Sequence, residues 1–490
     1  MCGCDDLRQE AGRRSPAMPK EKKVLLEVPA KLAEVVKRML AVDELGARMA
    51  DGREPIDSYR FSAAAESAMV AAELELERRR LQCLDEKARV LDVGGKKYRR
   101  VGRYEGTYYA KAGPVRVMRT LYRDAAVRND KTVDAISLKL GCLDGWLPEA
   151  ADAVGYLLQN APGNEAEKLA KKMGRLPYSA SSFKRVGGAV GGLFEAERSD
   201  VENVLIAECV IPDKVRSLTV SIDRVALPME EEVQRKAGRP KAGAPKKSIT
   251  RAFRMAWVGV VTMNDADGEA IHTIRYGQMP MKRPEQLLES MAGDVRALLA
   301  KRPTLKVVAL CDGGLEVVEL LDERFTKELL GVAVTRLVDF WHVIEKLGKA
   351  AAVIYGPDGS SRLAQWKLRL LNSRHARGQI LQELRLSGCE WKAAGEDSRP
   401  VHAAMTYLTN QASRMGYVDA REAGLPIGSG NVEATCKSLV QIRMRRAGAR
   451  WKQQSGQAVL SLRALALSDR WDRALQLTLA PLRHDVRVAA

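Results

Sequence analysis

The order of apolar runs between residues 213 and 341 constrains this chain most. Leu218-Thr219-Val220-Ser221-Ile222 is a β-prone run closed by Asp223. Two further β-prone runs follow at 253–263 and 271–277, separated by Asn264-Asp265-Ala266-Asp267-Gly268. That Asn/Asp/Gly cluster is a turn signal, so these two runs should pair as a hairpin. A helical pattern over 284–301 leads to Val307-Val308-Ala309-Leu310-Cys311, closed by Asp312. A second helix over 315–330 and a last strand over 332–339 complete a β-β-β-α-β-α-β succession.

Acidic residues that close the first and fourth strands of such a succession fit the ribonuclease H-like order. The expected architecture is an α/β ribonuclease H-like catalytic core, interrupted by an α-helical insertion and preceded by an α+β N-terminal DNA-binding region. Patterning divides the chain into a helical region at 1–90, a β-rich segment at 91–125 and a helical region at 126–212. The first part of the core follows at 213–341 and the helical insertion at 342–424. A core helix with a basic segment spans 425–455, and a helical tail spans 456–490. In the β-rich segment arginines alternate with aromatic and aliphatic residues, as in Lys97-Tyr98-Arg99-Arg100-Val101. This fits a small sheet with one basic face. Within 126–212, residues 165–172, a break at Gly174-Arg175-Leu176-Pro177 and a serine-rich start at 179–185 resemble a helix-turn-helix, whose second helix enters a DNA groove.

Eighty basic residues against 62 acidic give a net charge of +18, an excess that suits neutralisation of phosphates. The eight cysteines include no Cys-x-x-Cys pair, and with five histidines no zinc-finger spacing can be assembled. They read as reduced, cytosolic thiols. No apolar run approaches the roughly 20 residues of a membrane span, and the charged N-terminus does not read as a secretory signal. The absence of G-x-x-x-x-G-K-[ST] removes support for an ATP-driven mechanism.

The chemistry lies in three carboxylates. Asp223 and Asp312 end strands that would hold them side by side. Glu433 follows the Gly/Pro-broken loop Gly424-Leu425-Pro426-Ile427-Gly428-Ser429-Gly430 in the first turn of a helix. Phosphoryl transfer with two divalent ions needs carboxylates converging on cations about 3.5–4 Å apart. Mg²⁺ takes oxygen ligands and keeps waters, so two or three carboxylates suffice. The ordinary alternatives are an aspartate that caps a turn and a Glu433–Lys437 surface pair.

Asp339-Phe340-Trp341-His342 sits at a strand-to-helix junction. Asp339 and His342 are candidates to support the site, or Asp339 caps the helix while Phe340 and Trp341 enter the core. The candidate DNA contacts are Arg239 and Lys241 in a Pro/Gly-rich basic loop that also carries Lys246, Lys247 and Arg251, with Lys437, Arg443, Arg445, Arg446 and Arg450 after Glu433. That loop reads as a minor-groove hook or as a disordered basic segment. Trp451 reads as core or as a base-stacking residue.

Ser221-Ile222-Asp223-Arg224, Gly238-Arg239-Pro240-Lys241, 253–277, Cys311-Asp312-Gly313, Asp339-Phe340-Trp341-His342 and 424–437 together resemble the ISKra-type bacterial insertion-sequence transposases. The resemblance continues through Arg450-Trp451, Leu462-Arg463-Ala464 and Arg470-Trp471-Asp472, and covers roughly 90–475. It implies a DDE transposase, akin to Mutator-like enzymes, with the helical insertion before the glutamate. The implied triad, both catalytic and metal-holding, is Asp223, Asp312 and Glu433, with Mg²⁺ or Mn²⁺. Asp339 and His342 match an Asp-x-x-His pattern of related transposases. The implied partners are double-stranded DNA, as terminal inverted repeats and target, and further copies of the chain in a dimer or larger assembly. The implied setting is the bacterial cytoplasm at the nucleoid. A catalytically silent DNA-binding relative and a junction-type nuclease of the same fold are the alternatives.

Overall fold

The computed structural model describes residues 27–127, 130–232, 249–391 and 399–489. The chain divides at Arg79 and Arg80 into two compact units. In the first, the helix Ala30–Ala50 buries Val35, Leu45 and Met49, and a turn at 51–57 leads into the helix Ser58–Leu84. Gly46 leaves room for the Phe61 ring, since a Cβ there would lie 3.0 Å from it.

The second unit is mixed α/β, mostly helical, with two five-stranded sheets. Its strands are β1 (Val90–Val93), β2 (Lys96–Ala110), β3 (Gly113–Asp124), β4 (Val133–Asp134), β5 (Ser217–Glu232), β6 (Ile249–Asn264), β7 (Ala270–Gln278), β8 (Lys306–Cys311), β9 (Val334–Val338) and β10 (Val486–Val488). The first sheet runs β10-β1-β2-β3-β4. The expected helical tail at 456–490 therefore ends in a strand, with Leu91 opposite Val488. The arginines of this sheet do not share one face. Arg103 and Arg119 belong to adjacent cross-strand pairs and so point to opposite sides. Arg119 is bound to Asp134 at 2.8 Å and Arg103 lies 3.6 Å from Asp85.

The helices Pro148–Asn160, Gly163–Lys172 and Ala180–Glu208 follow. Ser179 caps the last of these by accepting from the Ser182 N–H, at 3.4 Å. Where the sequence suggests a recognition helix, this 29-residue helix buries Phe183, Val186, Val190 and Phe194 in a core with Leu462, Leu465 and Trp471. In its first turns Ser181, Lys184 and Arg185 are exposed.

The second sheet has the order β7-β6-β5-β8-β9. β6 is antiparallel to β5 and β7, while β8 is parallel to β5 and β9. Helices Glu285–Lys301 and Leu315–Arg324 cover one face through Leu288, Met291, Val295 and Leu320. Val432, Cys436, Leu439, Val440 and Leu460 pack on Val225, Leu227, Val258 and Val260 of the other face. The helix Gln453–Leu467 joins two cores, because Leu460 belongs to this face and Leu462 and Leu465 to the helical layer. A Cβ on Gly277 would lie 2.5 Å from Leu460, so the close approach of β7 and this helix needs glycine. The segment placed at the end of the chain as a tail is thus central.

The helices Phe340–Tyr355, Gly359–Asn372, Ala376–Trp391, Arg399–Asn410 and Tyr417–Glu422 lie between β9 and the Glu433 loop. They form a core of their own around Phe340, Leu347, Trp366, Leu384, Leu408 and Tyr417. The hydroxyl of Tyr417 donates to the Val338 carbonyl at 3.1 Å, which ties this core back to the sheet.

Candidate active site

β5 does not end at Asp223. It continues as a hairpin arm with β6, and Asp223 lies opposite Val258 in mid-strand. What ends near Asp223 is the parallel pairing with β8, whose last pair is Val220 with Ala309. The same register, carried on, sets Asp223 level with Asp312, which directly follows β8. The apolar run therefore marks the edge of parallel pairing rather than the end of the strand.

Glu433 lies in the helix Gly430–Thr435, which continues through a π-helical turn at Cys436–Gln441 into Ile442–Met444. Its apolar stripe fixes it on the sheet, and π turns often mark functional positions in helices. Asp223, Asp312, His342 and Glu433 line one cavity of about 410 Å³, together with Trp341 and Glu345. The structure thus brings the three carboxylates to a common space from segments far apart in sequence.

Each carboxylate is held differently. Asp223 Oδ1 accepts from the Arg224 N–H at 2.6 Å, and its Oδ2 accepts from the Cys436 thiol at 3.5 Å. Burial raises the Asp223 pKa above the ordinary carboxylate value. The negative field of Asp312 adds to the rise, while the Arg224 N–H, Cys436 and His342 oppose it. Asp312 Oδ1 accepts from the Gly314 N–H at 2.9 Å. Glu433 forms no ion pair with Lys437 among the described residues; its Oε1 instead lies 3.6 Å from His342 Nδ1. No described Lys or Arg pairs with Asp223, Asp312 or Glu433.

Asp339 is buried beneath the cavity. One oxygen accepts from the His342 N–H at 2.8 Å and caps the helix Phe340–Tyr355; the other accepts from the Ser429 N–H. Burial would raise its pKa, but hydrogen bonds from His342 and Ser429 outweigh it and hold the carboxyl at about 2. His342 Nδ1 lies 3.4 Å from Asp339 Oδ1. The hydrogen bond to Asp339 raises the His342 pKa against the opposing effect of burial, helped by the fields of Asp339, Glu433 and Asp312. Ligand atoms of Asp339, His342 and Glu433 lie within 4.8 Å of one another, the one such group among the described residues. Asp339 therefore caps the helix Phe340–Tyr355 and also binds the loop that leads into the Glu433 helix. Phe340 enters the core as expected, but Trp341 does not: it is 56% exposed at the cavity.

The candidate DNA contacts separate. Arg239 and Lys241 lie outside the described residues, as do Lys246 and Lys247. Lys437, Arg445, Arg446 and Arg450 are exposed, and Arg446 is paired with Glu165 at 2.6 Å. Arg443 is only 4% exposed and is not available to a phosphate. Its guanidinium donates to the carbonyls of Leu158, at 2.9 and 3.1 Å, and Ala161, at 3.2 Å. It thus satisfies the open C-terminal end of the helix Pro148–Asn160. Burial lowers its pKa to about 10. Trp451 is partly buried, and its indole N–H donates to the Met444 carbonyl at 2.9 Å. Arg463 donates to the carbonyls of Ser438, at 2.8 Å, and Gln159, at 3.2 Å, and so braces the Glu433 helix.

Sequence patterning gave no warning of three supports. Cys436 was one scattered cysteine among eight. Tyr407 donates to the Asp312 carbonyl at 2.7 Å, and Gln411 to the Gly313 carbonyl at 2.9 Å, both from the helical insertion. No described helix is long and apolar enough to cross a membrane.

No protein-family model matches the chain, and no curated protein matches it. Among solved structures it is similar to a Mos1 transposase paired-end complex with left transposon end, at 14% identity. That match covers 56% of this chain and 78% of that one, with a TM-score of 0.15, an overlap too slight to bear on fold or function.

Proposed function

We propose that this chain is a DDE transposase of the ISKra insertion-sequence type, which cleaves the ends of its element and joins them to target DNA. The observation that carries the reading is the meeting of Asp223, Asp312 and Glu433 in one cavity, with no described Lys or Arg to neutralise them. Asp223 and Asp312 are half-buried and Glu433 is exposed, and a fold gains little from gathering carboxylates around one cavity without cations. A site that takes up divalent cations and phosphate does. The strand order β7-β6-β5-β8-β9, with a parallel β5–β8 pair, supports the ribonuclease H-like reading of the core.

The oxygen-rich donor set fits Mg²⁺ or Mn²⁺. Asp223, Asp312 and Glu433 would hold the ions, with His342 and Asp339 behind Glu433. Bound there, they would supply activation of the attacking oxygen and stabilisation of the leaving one. The chain's own part is positional. Cys436 and the Arg224 N–H orient Asp223, the Gly314 N–H orients Asp312, and His342 holds a proton between Asp339 and Glu433. Lys437, Arg445, Arg446 and Arg450 are exposed cations for the DNA backbone. Pairing two element ends calls for at least two copies of the chain.

The deciding experiment is cleavage of labelled DNA carrying the flanking terminal repeats in Mg²⁺, comparing wild type with Asp312→Asn. Metal-dependent 3′-hydroxyl ends from wild type alone are expected. Binding without cleavage by both proteins would favour a catalytically silent relative, and cleavage without joining a nuclease.

A further inference from the structure

We infer that Arg463 is a positioning residue for Glu433, and that it acts by holding the π-helical turn Cys436–Gln441. The inference rests on the reading of the acidic cavity as a divalent-metal site, and adds to it what keeps Glu433 turned towards that cavity.

The turn answers a spacing in the sequence. Val432, Cys436, Val440 and Met444 recur at every fourth residue, and all four pack in one core with Val225, Leu227 and Val258. At 3.6 residues per turn an α-helix drifts about 40° with each step of four, so roughly 120° would separate the first of these residues from the last. One extra residue in the ladder takes back about 100° of that drift. The π turn therefore lets both halves of the helix face the sheet at once. Glu433 follows Val432 directly, so its place on the cavity depends on that phase.

The same turn leaves a carbonyl over. The Ile442 N–H donates to the Lys437 carbonyl, five residues back, and the Arg445 N–H to the Gln441 carbonyl, four residues back. Between them stand the N–H groups of 443 and 444 against the carbonyls of 438, 439 and 440, so the ladder passes one over. The Ser438 carbonyl, first of the three, accepts from Arg463 Nε at 2.8 Å. An unsatisfied carbonyl inside the fold is costly, and Arg463 brings the donor that the π ladder lacks. Arg463 itself is 6% exposed, and its acceptors are neutral oxygens: the Ser438 and Gln159 carbonyls and the side chains of Gln159 and Asn160. A buried guanidinium without a carboxylate is held at a cost. What it provides is a fixed link between the π turn and the end of the helix Pro148–Asn160. Arg443, beyond the turn, is tied to the Leu158 and Ala161 carbonyls at that same end. The far half of the helix is thus anchored. Relaxation of the turn to α geometry would swing the near half, taking Glu433 off the cavity and Cys436 off Asp223.

The test uses the full chain, folded and metal-free, and reads the alkylation rate of each cysteine by iodoacetamide and mass spectrometry. Cys436 is 5% exposed on the near half of the helix, and Cys311, buried in β8, serves as the control for general loosening. Arg463→Met should speed labelling of Cys436 by roughly tenfold or more, the effect of losing a hydrogen bond from a charged donor, and leave Cys311 protected. Arg463→Lys, which keeps a donor, should stay close to wild type. Deleting Ser438 removes the extra residue, and with it the carbonyl that needs Arg463, so the deletion combined with Arg463→Met should restore protection of Cys436. Mn²⁺ affinity, measured by calorimetry, should follow the same order, with Arg463→Met weakened as far as Glu433→Gln. Equal gains in labelling at Cys436 and Cys311, or a deletion that leaves the Arg463→Met pattern unchanged, would overturn the inference. If wild type binds no Mn²⁺, the metal-site reading fails, and the thiol pattern alone then decides whether Arg463 holds the turn.

Discussion

The hydroxyl of Tyr407 donates to the main-chain carbonyl of Asp312 across 2.7 Å, joining the helix Arg399–Asn410 to the turn that presents a site carboxylate. Gln411 adds a second bond to the next carbonyl, that of Gly313. Gly313 has φ +84°, and a Cβ on it would lie 2.9 Å from the Tyr407 oxygen. The helical insertion therefore does more than separate Asp339 from Glu433 along the chain. It is the clamp on the Asp312 turn.

Tyr407→Phe removes one hydrogen bond and keeps the ring. The expected cost is about 1 kcal/mol of stability, read as a small drop in denaturation midpoint. Cleavage should fall by roughly tenfold, because small misplacements of a positioned group are costly to rate. Equal loss of stability with an unchanged cleavage rate would show that the turn holds Asp312 without help. Gly313→Ala should be worse on both counts, since it adds a steric clash and an unfavourable φ.

Arg443 and its exposed neighbours should behave as different kinds of arginine. Arg443→Met leaves the carbonyls of Leu158 and Ala161 without their donor, at a cost of about 1–3 kcal/mol. The result should be a less stable protein whose remaining folded fraction keeps its DNA affinity. Arg445→Gln with Arg450→Gln should leave the unfolding curve in place, weaken DNA binding and reduce the dependence of log affinity on log salt by about one to two units. A stable Arg443→Met protein with a flattened salt slope would contradict the structural role.

The same arginines show where sequence patterning stops. That Asp223 and Asp312 would come level with one another was legible because apolar runs end at them, and such runs are local. The strand order of the second sheet follows from those runs and the helices between them. Nothing local distinguishes Arg443 from Arg445, since only the tertiary neighbours of a basic stretch decide which cations face water. β10 is three residues long and finds its partner β1 almost 400 positions earlier, so no periodicity announces it. Trp341 looked like core because it follows Phe340, but the two point apart on one helical turn.

Asp223 is held at a cost to the fold, and removing its charge should reveal it. Its folded-state pKa is raised, first by burial and then by Asp312. A carboxyl of this kind contributes stability below its unfolded pKa, and that contribution is lost as pH rises through the folded value. At neutral pH the charged form is therefore a burden on the metal-free protein. Asp223→Asn should raise the urea midpoint near pH 7 and leave it nearly unchanged in acid, while abolishing cleavage. Mg²⁺ should stabilise wild type more than the variant, because a ligand that binds only the folded state shifts unfolding by mass action. A variant no more stable than wild type at neutral pH would show that the site relaxes around the charge.

Asp339 and His342 carry the opposite signs and define a pH window. Asp339 is lowered from 3.8 to about 2 against the effect of burial, so its contribution is present above 3.8 and is lost as pH falls through about 2. That shift corresponds to about 2 kcal/mol. His342 is raised above 6.5 by its hydrogen bond to Asp339, so its contribution is complete below 6.5 and disappears as pH rises through the folded value. Both are fully present in the metal-free protein only between 3.8 and 6.5. Asp339→Asn should remove the acid-side term, lower the His342 pKa towards 6.5 and loosen the Ser429 N–H that leads into the Glu433 helix. Imidazole resonances followed by NMR against pH test this directly, with His342→Gln used for assignment. An unmoved His342 titration in Asp339→Asn would mean that Glu433 and Asp312, and not Asp339, hold the proton on the imidazole.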